Sequence, residues 1–380
     1  MVRDGLEEVC IYKFRHGITI GAIFVQGKTN LYFLTIMKKI SLFAFALLAT
    51  LTATAQQMPE GCLPARFKVS ADKEVVFARG NLQYTTQGEH ACADGTTQKG
   101  TWRIADNQYD FIGDDNANIA EDYTGYIDLF GWGTSGWSGG IAAYQPWSTS
   151  LSNANYYAGG KGENNLTGDY AFSDWGVYNA ISNAGNKPQL WRTLSAQENT
   201  YLFVLNRWTM ATVDGKLGFM LFPTDFTAPA GITVKYVWNA EGNEAPTTFD
   251  DTDYAGNVYT KEQFAKLETA GAVFFPCAKY RMEGTSITPL NTLGMYWSTT
   301  QDYAEDDTWA LGLGIGAYAA NPASFGDRAF GRSVRLVHDV DGETALNNAT
   351  TKSKAQKVVV NGQVYILRNG ELFNILGAKQ

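Results

Sequence analysis

Side chains suited to nucleophilic or metal chemistry are scarce in this chain of 380 residues, which holds 4 cysteines and 3 histidines. Downstream of residue 55 the thiols are Cys62, Cys92 and Cys277, and the imidazoles are His90 and His338. A three-ligand zinc site, or a Cys–His or Ser–His pair, needs an imidazole beside its partner. Cys277 follows Phe274-Phe275-Pro276, a setting for a small buried apolar residue, whereas an activated thiolate needs a cationic neighbour. Carboxylates are plentiful and occur in adjacent pairs, Asp114-Asp115, Asp250-Asp251 and Asp306-Asp307. Glycoside hydrolysis requires two carboxyl groups at a set separation across the scissile bond. Adjacent acids in loops read instead as solvated groups. No catalytic residue is assigned, and a non-enzyme is expected.

Two stretches carry binding chemistry. Asp114-x-Asn116-x-Asn118 places hard oxygen ligands at alternate positions, as calcium loops do. Ile119 stands where an EF-hand needs Gly and Gly125 where it needs Glu, so the motif is a candidate calcium site of another kind. No other cofactor is expected. The loop-rich stretch 301–330 mixes Tyr303, Trp309, Tyr318 and Phe325 with Gly, Ala, Asp and Asn. Aromatic rings among small polar neighbours offer large rigid contact area at low entropic cost, which recognition surfaces use. The candidate ligand contacts are Asp302, Tyr303, Asp306, Asp307, Tyr318, Asn321, Phe325 and Asp327. Trp309 alternates with Leu311 and Leu313 and is read as core. The balance of 30 basic to 38 acidic residues, a formal net charge of -8, argues against a nucleic-acid surface.

The elements that must position these residues form an α+β pattern with few helices, short strands and long loops. Phe67-Lys68-Val69, Val75-Val76-Phe77 and Trp102-Arg103-Ile104 read as strands, as do Val273 to Pro276, Tyr296 to Ser298, Trp309 to Leu313 and Ser333 to Val337. Ser195-Ala196-Gln197-Glu198 and Thr260-Lys261-Glu262-Gln263 match the capping box that opens a helix. The first helix is expected to end near Asn206 with Tyr201, Leu202 and Leu205 on one face, and the second to stop before Gly271. Between Tyr109 and Trp147 no period is visible, and buried rings are expected to pin long loops. The three cysteines allow at most one disulfide; Cys62 with Cys92 is the local choice, and spacing does not fix it.

The ends of the chain read differently. Met37-Lys38-Lys39, the apolar run Ile40 to Leu51 and Ala53-Thr54-Ala55 have the order of a secretory signal, with cleavage expected after Ala55. The run falls short of the roughly 20 residues a membrane span needs. Residues 1–36 are read as upstream sequence from a start assigned too early, and 37–55 as the signal peptide. No cysteine sits directly after the expected cleavage point to carry a lipid. A polar linker, 340–355, leads to a tail, 356–380, in which Asn361-Gly362 and Asn369-Gly370 separate apolar runs. Asn-Gly is a strong hairpin signal, so a small three-stranded β unit is expected there.

The stretch Trp191-Arg192-Thr193-Leu194-Ser195-Ala196-Gln197-Glu198 resembles the helix-opening motif of the formylglycine-generating-enzyme-like branch of C-type lectin folds. Phe274-Phe275-Pro276, Gly294-Met295-Tyr296-Trp297-Ser298-Thr299-Thr300 and Gly331-Arg332-Ser333-Val334-Arg335-Leu336-Val337 resemble the ending of the Fibrobacter succinogenes major paralogous domain and its relatives in Bacteroidetes. The resemblance implies a C-type-lectin-like domain over 66–339 with its ligand face in the 301–330 loops. The paired C-terminal cysteines with which formylglycine-generating enzymes work are missing, since no Cys lies between Tyr296 and Val340. The Glu-Pro-Asn or Gln-Pro-Asp tripeptides of calcium-dependent sugar binding are missing too; Asn321-Pro322-Ala323 lacks the Glu or Gln that precedes Pro in them. In some relatives this terminal region is rewritten by diversity-generating retroelements. The tail is similar to short C-terminal segments of exported Bacteroidetes proteins, some of which are type IX secretion signals.

These readings imply an exported, non-catalytic ligand-binding or adhesion module, secreted or on the outer cell surface, with a protein or glycan as its ligand. The alternatives are a periplasmic location, a structural or fimbria-associated surface protein, and a hydrolase or modifying enzyme on the same scaffold.

Overall fold

The computed structural model describes residues 9–13, 19–23, 58–160, 164–242, 244–282, 284–302 and 309–340, together with the backbone of strands within 356–374. The chain divides into two units, 1–57 and 58–380. In the first, β1 (Val9–Lys13) pairs antiparallel with β2 (Thr19–Ile23). The signal-like segment 37–55 lies outside the described residues.

The second unit is mixed, rich in sheet and poor in helix, and so α+β. It opens with β3 (Cys62–Lys68) and β4 (Glu74–Ala78), followed by the hairpin of β5 (Leu82–Ala91) and β6 (Thr97–Ile104). A long irregular segment with one short helix, α1 (Trp175–Tyr178), leads to β7 (Arg192–Thr193) and α2 (Ala196–Leu205). Next come β8 (Arg207–Val213), β9 (Lys216–Phe222), β10 (Val258–Tyr259), α3 (Lys261–Thr269) and β11 (Val273–Pro276). The meander β12 (Leu293–Gln301), β13 (Trp309–Gly316) and β14 (Ala320–Asp327) precedes β15 (Leu336–Asp339).

Sheet order closes the domain on itself. β15 inserts between β4 and β7, giving β3-β4-β15-β7, with Val337 opposite both Phe77 and Arg192. A second sheet runs β10-β8-β9-β11 and a third β12-β13-β14. The tail folds as an antiparallel three-stranded meander, β16 (Gln356–Val360), β17 (Gln363–Arg368) and β18 (Glu371–Asn374), in keeping with its two Asn-Gly pairs.

Both capping boxes form. Ser195 Oγ accepts from Glu198 N while the Glu198 carboxylate accepts from Ser195 N, and Thr260 and Gln263 do the same for α3. The buried face of α2 differs from expectation: Ala196, Leu202 and Phe203 are buried, whereas Leu205 points to solvent. The hairpin β8–β9 was not anticipated from the sequence. Its turn, Asp214-Gly215, has φ of 49° and 77°, the pair of positive values that a two-residue turn of this hand demands.

Between Tyr109 and Trp147 the irregular segment is pinned by buried rings, as expected, through Tyr109, Phe130 and Trp132; beyond that stretch Tyr156, Trp175, Tyr178 and Trp191 are buried as well. The indoles of Trp132, Trp191 and Trp297 donate to the carbonyls of Ser298, Ala184 and Phe130. Arg335 ties the loops together from within: its guanidinium donates to Asn81 Oδ1 and to the carbonyls of Ala78, Arg79, Gln108 and Phe274. Such a buried cation is tolerated because every N–H finds an acceptor. This corrects the strand expected over 333–337, since Ser333 and Arg335 precede the ladder, which begins at Leu336. Cys62, Cys92 and Cys277 are free thiols, so the local Cys62–Cys92 pairing does not form.

Candidate functional site

The expected ligand stretch is organised by the β13–β14 ladder, which sets Trp309 opposite Asp327 and Leu311 opposite Phe325. Trp309 and Phe325 are therefore diagonal neighbours on one face, within reach of each other's rings. They stack with centroids 4.6 Å apart and planes 13° from parallel. Trp309 Nε1 donates to Asp327 Oδ1 at 3.0 Å, and Asn153 Nδ2 donates to the same oxygen at 3.0 Å. The indole is thus held at its edge and covered on one face by Phe325, itself 57% exposed. The core position expected for Trp309 is only half realised, because its side of the sheet carries this stack.

Behind the stack, Arg332 fixes the backbone of β14. Its Nη2 donates to Phe325 O at 2.9 Å, and its guanidinium lies 4.3 Å above the Trp297 ring. Burial pulls the Arg332 pKa down to about 10. Gly326 is required by this arrangement, since a Cβ there would sit 1.6 Å from Arg332 Nη2.

The other expected contacts are distributed around this platform. Tyr318, 61% exposed, lies in the β13–β14 turn, which is held by Phe249 N donating to Tyr318 O and Tyr254 Oη donating to Ala317 O. Asn321 is exposed, and its Oδ1 accepts from Ala323 N. Asp302 N donates to Trp309 O. Tyr303, Asp306 and Asp307 lie outside the described residues.

The three residues of the calcium motif have separate tasks. The Asp114 carboxylate takes the Lys279 ammonium. Asn116 is fully buried; its Oδ1 accepts from Asp128 N and Leu129 N while its Nδ2 donates to Gly113 O and Asp128 Oδ1. Asn118 is exposed, with its backbone N–H on Asp115 O. Burial raises the Asp128 pKa to about 6 against the pull of Ile112 N and Asn116. Among the described residues, no group of three or more His, Cys, Asp or Glu converges as a metal site. The histidines are built into the packing: His90 Nδ1 lies 2.8 Å from Gly100 O and its Nε2 2.8 Å from Asn179 Oδ1, and His338 Nδ1 lies 2.7 Å from Leu190 O.

A second concavity, not anticipated from the sequence, opens where α1, β7 and the start of α2 meet β12. Its volume is about 340 Å³. Arg192 and Glu198 stand in its wall, and Arg192 grips Glu198 with both terminal nitrogens at 2.8 Å and Asp339 through Nε and Nη2. Burial alone lowers the Arg192 pKa, but Glu198 and Asp339 more than reverse it. Glu198, pushed up by burial, is held below the usual range by Arg192. Asp174 forms the floor, with its carboxylate accepting from Gly176 N, Thr193 N and Thr193 Oγ1. Burial raises its pKa to about 6 in spite of these bonds. The capping box marked Ser195 and Glu198, but Asp174 and Asp339 arrive from distant segments without any local signal.

Among the described residues no helix is long and apolar enough to cross a membrane. Comparison of the chain with protein-family models, curated proteins and solved structures finds no match.

Proposed function

We propose that this chain is an exported, non-catalytic binding module of C-type-lectin-like organisation, secreted or displayed on the outer cell surface, that takes a protein or glycan through the β13–β14 face. The stacked pair Trp309–Phe325 carries this reading. An exposed ring that is already immobilised by stacking, with its partner hydrogen-bonded to Asp327, meets a ligand without further loss of rotamer freedom. Tyr318 and Asn321 extend the same strand connection into solvent. Export is supported by the charged, apolar and small-residue order of 37–55. The lectin-like organisation is supported by the motif residues Tyr296, Trp297 and Arg335, all of which are structural members of the core.

The test is binding of the full chain to arrays of glycans and of host and bacterial surface proteins, in calcium and in EDTA, beside Phe325→Ala and Tyr318→Ala. Both side chains are exposed, so the variants retain the fold. A specific partner lost in them supports the reading, and a partner bound equally well by them overturns the assigned face. Loss in EDTA would make calcium a participant.

A further inference from the structure

We propose that the 340 Å³ cleft beside α2 is a second binding site, for a neutral polyhydroxylated ligand of mono- or disaccharide size. The inference is independent of the aromatic face. The volume lies within the range of small-molecule sites, which combine an apolar patch with a few placed polar groups.

The charges in the wall define the class. A guanidinium has five N–H donors, and all five of Arg192 are engaged, by Asp339, Glu198 and Thr193 O. It has none left for a carboxylate or phosphate. The ionisable lining residues are Lys73 and Arg192 against Asp174 and Glu198, which cancel at neutral pH. Neither an anion nor a cation is favoured. Of the uncharged polar side chains, those of Ser70, Thr193 and Ser195 are engaged by Asp72, Asp174 and Glu198 N, whereas those of Thr167, Gln197 and Thr299 make no hydrogen bond among the described residues. Among the described residues Asp174 Oδ2 accepts only from Thr193 N, which leaves one acceptor position on a carboxylate fixed at the floor. Leu166, Ala171 and Val177 add the apolar patch for the C–H face of a sugar ring. Gly168 keeps one side open, with nothing within 4 Å of where its Cβ would stand.

The experiment is calorimetric and ligand-observed NMR titration of the full chain with neutral hexoses, pentoses and disaccharides, and with hexuronates and hexosamines. Two variants address the cleft from exposed positions: Thr167→Trp fills it and Gln197→Ala removes a polar group. We expect a neutral sugar to bind, its Kd to weaken at least tenfold in Thr167→Trp and measurably in Gln197→Ala, and its uronate to bind at least tenfold less well. Phe325→Ala, which tests the other face, should leave that Kd unchanged. Thermal unfolding of each variant is measured alongside, and should Thr167→Trp not fold, Gln197→Ala decides. The proposal is overturned if no neutral sugar binds at concentrations on the order of 10 mM, if a charged analogue binds better, or if affinity survives in the folded cleft variants. Loss of sugar binding in Phe325→Ala alone would assign the sugar to the aromatic face and likewise overturn it.

Discussion

Arg192 joins the last strand of the domain to its second helix: Nη2 donates to Asp339 Oδ1 at 2.7 Å on one edge and to Glu198 Oε1 at 2.8 Å on the other. The three side chains are only 10–16% exposed. Two carboxylates that close to the interior, facing one bidentate cation, depend on it. Arg192→Leu should therefore lower the unfolding free energy by about 3 kcal/mol, the size expected when a buried pair loses one partner. Asp339→Asn, which keeps one acceptor oxygen, should be milder. Chemical denaturation measures both, and a loss below about 1 kcal/mol for Arg192→Leu would show the cluster to be solvent-screened.

Gly326 presents a separate test. Any Cβ there enters the space of Arg332, whose guanidinium is buried between the Trp297 ring and the β14 carbonyls. Gly326→Ala should destabilise the protein by about 2 kcal/mol through overpacking. It should also weaken ligand binding at the aromatic face, because Arg332 holds Phe325 O. An unchanged melting temperature would mean that Arg332 can swing aside.

The thiols predict a chemical silence. Burial pushes Cys62 and Cys277 up to about 12, and burial also raises Cys92. At pH 8 the thiolate fraction of a thiol near 12 is on the order of a thousandfold below that of a free cysteine. Alkylation followed by peptide mass spectrometry should find all three protected in the native protein and reactive in guanidinium. Dithiothreitol should leave the melting temperature unchanged, and a fall on reduction would reveal a disulfide.

Much of this fold is legible where the determinants are local. The capping boxes at Ser195 and Thr260 are short-range hydrogen-bond patterns, and both open helices. The Asn-Gly pairs of the tail specify turns through their backbone preferences, and the meander follows. The β8–β9 hairpin escaped although Asp214-Gly215 carries the same kind of signal, because Trp208, Met210, Phe219 and Met220 are buried on both faces and show no alternation. The aromatic face was legible in composition but not in arrangement: Trp309 stacks on Phe325 only through the register of two strands. The cleft was not legible at all, since Asp174 and Arg192 lie 18 positions apart in sequence and Asp339 a further 147.

Asp174 and Asp128 give the protein a pH dependence of unusual sign. Each has its folded pKa raised from 3.8 to about 6 by burial. Between pH 4 and 6 the folded state therefore binds more protons than the unfolded one, so this contribution to stability falls as pH rises and is greatest below the unfolded pKa. Glu198 acts oppositely, because its lowered pKa favours folding above the unfolded value and is lost in acid. The sum of the three masks each, and a difference measurement isolates Asp174. In Asp174→Asn the carboxamide cannot titrate, and its NH2 group meets Thr193 N where an acceptor is needed. The stability advantage of the parent over Asp174→Asn should therefore be largest near pH 4. It should shrink by on the order of 2–3 kcal/mol by pH 7, since each tenfold change in proton affinity is worth about 1.4 kcal/mol. Guanidinium unfolding of both proteins at half-unit pH steps reads this directly. A difference independent of pH would show that Asp174 titrates at its ordinary value, and hence that water reaches the floor of the cleft more freely than its burial implies.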